Sequence, residues 1–212
     1  MIFSLIHRVE AYFNPLMDHS ALSQEAYEEW SKPSRILQIR FITLLTGLLY
    51  IVFAFIENKI LLHDALAFSR NIHLFLLPPI LFAISAMSFN PKLYRLMILT
   101  LAIAPVLANI GNLYMVGLLR DSPIYLSEAY SSEVYLIIIW IFTLSGLRFA
   151  HAFISASVCF GITYIHQIYF PIPDEIVYLH LLWMVTAFSF GAVSALIMEK
   201  NSRRIFASAS RG

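Results

Sequence analysis

Six stretches of roughly 18 to 27 mostly apolar residues, separated by short polar joints, leave this chain few ways to fold. Each is long enough to cross a hydrocarbon layer about 30 Å thick. None shows the polar face at helical period that a helix of a soluble bundle carries. The spans fall at residues 36–56, 72–89, 93–119, 129–147, 149–169 and 176–198. Pro33 enters the first, Glu57 and Asn58 close it, and Asn90–Pro91 supplies a cap and first helical position for the third. Composition agrees: 13% of the residues are charged, against about 25% in soluble domains. The expected fold class is an all-α integral membrane protein, a six-helix transmembrane bundle.

Charge sets the expected orientation. Eleven of the 14 Lys and Arg side chains lie at one set of span ends, among them Lys32, Arg35, Arg40, Lys92, Arg95, Arg148, Lys200, Arg203 and Arg204. Lys59, Arg70 and Arg120 lie at the other. The positive-inside rule then makes both termini cytoplasmic, in a multi-pass membrane protein. The basic residues form no patch, so nucleic acid is not an expected partner. His7, Arg8 and Glu10 interrupt any signal-peptide core. Ile2, Phe3, Leu5, Ile6, Val9, Tyr12 and Phe13 instead suit a short amphipathic helix in the inner interface. Residues 1–32 are thus expected to be a cytoplasmic or interfacial segment, 33–198 the membrane domain, and 199–212 the start of a cytoplasmic linker. Cys159 is the single cysteine and lies in an apolar run.

The third span contains what a mere anchor would avoid. Ala102, Pro105, Asn109, Asn112 and Val116 share one strip of helix surface, at 100° per residue. Amides in hydrocarbon face protein or a water-filled cavity, so this strip points inward. They can act as glue between helices or as part of a pocket. His166 on the fifth span and His180 on the sixth, with Trp183 beside it, lie about one turn from the outer ends. Glu133, Tyr135 and His73 lie at similar depth. The expected ligand site therefore comprises Asn109, Asn112, Glu133, Tyr135, His166, His180 and Trp183, lining one cavity in the outer half. Ala187, Gly191 and Ala195 form a row of small residues on the sixth span, expected either to pack inside the bundle or to form a homodimer seam that transmits a signal.

No phosphate loop, nucleophile elbow or zincin pattern is present, so no catalytic residues are expected. No cofactor is expected either; haem or a metal ion could only fall to His166 and His180. There is no chain of buried charges of the kind that pumps use, though a small transporter or channel stays open as an alternative.

The runs RFITLLTGLLYIVFAFIE, LAIAPVLANIGNL and YLIIIWIFTLSGLRFAHA resemble the six-helix membrane sensor regions that precede diguanylate cyclase or class III adenylate cyclase domains in bacteria. The sensor regions of quorum-sensing histidine kinases are a related arrangement and a close competitor. The resemblance spans residues 36–200 and is one of pattern. It implies a homodimeric receptor for a small-molecule or lipid-like ligand, signalling through its sixth helix. The Gly-Gly-Asp/Glu-Glu-Phe motif and the cyclase core are absent, so this chain alone is expected to be no enzyme.

Overall fold

The computed structural model describes residues 24–61, 63–120, 124–169 and 174–209. Every element among them is helical. In order they are α1 (Gln24–Glu57), α2 (His63–Arg70), a π-helical turn (Asn71–Leu76), α3 (Leu77–Met87), a 3-10 turn (Pro91–Leu93), α4 (Tyr94–Leu118), α5 (Ile124–Ser131), α6 (Glu133–Thr143), α7 (Phe149–Tyr169) and α8 (Asp174–Ala209). The interfacial helix expected at the very N-terminus lies outside the described residues.

Five stretches are long and apolar enough to cross a membrane: Glu25–Glu57, Asp64–Met87, Pro91–Leu118, Phe149–Tyr169 and Glu175–Ala209. Pro91–Leu118 and Phe149–Tyr169 agree closely with the third and fifth expected spans, 93–119 and 149–169. The first reaches back through Pro33 to Gln24, and the last runs on past Met198 to Ala209. The fourth differs. Instead of one helix over 129–147, the chain forms α5 and α6, broken at Ser132, and α6 has only 11 residues. At 1.5 Å per residue that is about 16 Å, half a bilayer core. The Ser131 and Ser132 hydroxyls donate to the carbonyls of Ser127 and Ala129. Such local bonds compete with the helix ladder, and the two serines sit where it fails.

The π-helical turn has a sequence cause too. Pro78 and Pro79 follow it, and neither can donate a backbone bond to the turn before. The Leu77 N–H bonds Ile72 O instead, a step of five residues, and the helix widens there.

Packing follows shape. α1 lies against α3, α4 against α7, and α6 against both α7 and α8. The largest core joins Val134, Ile138, Ile141 and Phe142 of α6 to Ala152, Ala156 and Cys159 of α7 and to Met184, Ala187 and Ala195 of α8. Gly191 belongs to the same seam: a Cβ there would stand 2.6 Å from Phe142 Cδ2. The small-residue row of α8 is thus filled from within by α6, and this is the intramolecular alternative of the two readings. Large apolar side chains such as Phe41, Phe55, Phe190 and Ile197 point outward, as lipid contact requires.

The two ends of the chain's helical part meet at the basic end. Tyr27 and Trp30 of α1 pack on Phe206 of α8, with centroids 5.8 and 5.3 Å away. The Arg203 guanidinium lies 4.5 Å from the Tyr27 ring centroid. Arg148 pairs with Glu28 at 2.6 Å, and Glu199 accepts from the Phe149 N–H at 2.9 Å, capping α7.

Candidate functional site

A buried polar atom costs free energy unless it is bonded, so the polar groups inside this apolar bundle show where it is specialised. Three groups stand out, all away from the basic end.

The first is built by α1, α2, the π-helical turn and α5. Glu57 closes α1 and is 1% exposed. Its carboxylate accepts from Ser69 and Tyr130, and from His73 Nδ1 at 2.6 Å. The widened turn carries His73, whose ring stacks on Tyr50 and meets Phe53 edge-on. Glu133 lies within electrostatic range of both His73 and Glu57. Both carboxylate oxygens are thus satisfied, and the network ties four segments together.

The second group is the seam of α4 and α7. Asn109 is fully buried and donates to Cys159 O at 3.1 Å and Thr163 Oγ1 at 3.0 Å. About two turns towards the basic end, Ser155 donates to Ala102 O at 2.7 Å. Asn109 therefore acts as interhelical glue. Asn112, one turn further on, is buried with neither its Nδ2 nor its Oδ1 bonded.

The third group is a narrow cleft between α4, α5, α7 and α8. Leu113, Val116 and Val177 give it apolar walls, and Ser131, Thr163, His166, Gln167 and His180 supply the polar ones. Its cavity is about 20 Å³, room for about one water. Gln167 is 6% exposed, and its Oε1 has no partner. On the α6 side, Tyr135 OH lies 2.5 Å from His180 Nδ1. With the phenol as donor, the imidazole keeps its proton on Nε2.

The seven expected ligand residues are therefore distributed over the bundle. His166 and His180 share the cleft, with Tyr135 holding His180. Asn109 is consumed at the α4–α7 seam. Glu133 stands near the Glu57 network. Trp183 is 53% exposed, on the outer surface of α8. Glu57, Ser69, Tyr130 and Gln167 join these groups without being among the residues expected from the sequence. Gln167 carries a usable signal, an amide inside an apolar span, one residue from His166. Glu57 looked like an ordinary boundary charge, since only the tertiary fold brings Tyr130 and His73 to it.

Among the described residues no three His, Cys, Asp or Glu side chains gather as a metal site. No known protein family, no curated protein and no solved structure matches this chain.

Proposed function

We propose that this chain is a membrane-embedded sensor module that detects a small-molecule or lipid-like ligand and passes the signal on through α8. The observation that carries this reading is the continuity of α8. It holds His180 in the cleft near one end, and Glu199, Arg203 and Phe206 at the other, in one unbroken helix of 36 residues. At 1.5 Å per residue that is about 54 Å, well beyond a bilayer core. Any displacement of His180 is therefore delivered to the basic end as rotation or sliding of one rigid element. A ligand can bias that motion only by its differential affinity for the two positions.

The same reading places the basic end in the cytoplasm by the positive-inside rule. Contact between Tyr27 and Phe206 supports both helical ends on one side, which requires an even number of crossings. The broken α5–α6 pair then makes the sixth passage beside the five long helices. A homodimer, as the resemblance to cyclase-linked sensors implies, would use the exposed side of α8, with Trp183, Phe190, Val193 and Ile197, since the small-residue row is occupied.

The test is helical phase. One to four alanines are inserted after Ala209, ahead of a nucleotide-cyclase reporter, and output is measured in membranes. Output should rise and fall with a period of about 3.6 residues. A flat response, together with solute flux in proteoliposomes, would replace the sensor by a transporter or channel.

A further inference from the structure

We propose that the cleft between α4, α5, α7 and α8 is a binding site for one neutral hydroxyl group. Water fills it in the free protein, and the hydroxyl of an apolar molecule replaces it on binding. Three observations converge. The cavity of about 20 Å³ matches a single water in size. Gln167 lines it, is 94% buried because only 6% of it is exposed, and leaves Oε1 without a partner. Roughly nine in ten or more buried polar groups in native proteins are bonded, and an ordered hydroxyl is the smallest group that satisfies this one.

The lining decides the charge of the occupant. Among the described residues that line it there is no Asp, Glu, Lys or Arg, so a full charge on the occupant would meet no Asp, Glu, Lys or Arg side chain in the wall. Polar partners are nevertheless plentiful for a group that both donates and accepts. Gln167 Oε1 accepts. His180 accepts the Tyr135 hydroxyl at Nδ1, so its Nε2 carries the ring proton and is the atom that donates. The Thr163 hydroxyl stands in the same wall. Leu113, Val116 and Val177 would flank an alkyl chain attached to that hydroxyl. A larger body needs the cleft to widen between α7 and α8, because sites for drug-sized molecules run to about 300 Å³ or more. Asn112 is a second buried amide with no partner, one turn above Asn109. Use of this site by a signal rests on the sensing role; the existence of the site does not.

X-ray radiolytic footprinting in lipid nanodiscs reads the site directly, because hydroxyl radicals formed from a bound water label the side chains beside it. Leu113 and Val116 should be labelled well above Leu101, although all three are buried. Labelling should fall severalfold in Gln167→Leu. The wild-type measurement stands by itself if that variant does not fold. Leu113 and Val116 as unreactive as Leu101, or full labelling in a folded Gln167→Leu protein, would overturn the proposal. Adding 1-octanol separates the two sources of the hydroxyl. Protection by 1-octanol, and not by octane or octanoate, assigns it to an apolar ligand as well as to water. Labelling that persists in 1-octanol assigns it to water alone and removes the ligand half of the proposal. Equal protection by octane would show that apolar volume, not the hydroxyl, is recognised, and would overturn it.

Discussion

At Gly191 a single added carbon would stand 2.6 Å from Phe142 Cδ2 and 3.2 Å from its Cβ. The latter atom sits at the root of the side chain and cannot swing away. Gly191→Ala should therefore destabilise the bundle by about 1–3 kcal/mol, the usual cost of overpacking. Thermal unfolding in detergent measures it, and an unchanged midpoint would contradict the packing of α6 on α8. Glu57 makes the complementary point about polar residues. Its position after an apolar run marks a span boundary, and the sequence shows that much. Its partners Ser69, His73 and Tyr130 stand 12, 16 and 73 residues away, so nothing local announces the network. The inward direction of Asn109 and Asn112 was legible, because amides do not face lipid. Which of the two would find partners was not, since that depends on the register of α7 against α4.

Among elements, the α5–α6 segment departs most from what its composition suggests. The apolar span expected over 129–147 promises a full crossing, yet α6 closes after 11 residues. Its end is held by tertiary contacts. Both Leu144 and Ser145 donate to Trp140 O, and Gln38 of α1 donates to Leu144 O at 3.1 Å. Trp140 itself reaches Thr46 of α1 at 3.2 Å. Gly146 makes the reversal into α7 with φ of +77°, a region that L side chains rarely adopt. A Cβ there would also lie 2.9 Å from Ile39 Cγ1. Gly146→Ala should cost about 1–2 kcal/mol of stability, combining left-handed strain with that contact. Equilibrium unfolding checks the value; a neutral substitution would mean that the turn can relax without disturbing α1.

For the molecule as a whole, the decisive feature is the closure of its basic end. Glu199 follows the last apolar stretch and is 7% exposed. Burial pushes its carboxyl pKa up, but Arg35, the Phe149 N–H, Arg148 and Arg203 together outweigh this and hold it below the ordinary value of 4.5. A depressed carboxyl contributes stability above its unfolded pKa and loses it as pH falls through the folded one. Spin labels at Glu29 and Ile205 should therefore keep one short distance at neutral pH and separate only as the pH falls through the depressed Glu199 pKa, on the acid side of 4.5. In Glu199→Gln that transition should vanish, and the distance should already be broader at pH 7. A distance indifferent to both changes would show that the aromatic contacts of Tyr27, Trp30 and Phe206 suffice alone. The sequence by itself determined that the chain is helical, that its helices are long and apolar enough for a membrane, and that its charges fall at two unequal sets of ends. Those properties follow from length, hydropathy and backbone hydrogen bonding, which act within each segment. Only the tertiary structure decided that α8 spends its small residues on α6, that Glu57 gathers four segments, and that Gln167 faces a cleft without a partner. Each of these depends on the register between helices far apart in the chain, and apolar surfaces that attract one another without direction leave that register open until the whole bundle packs.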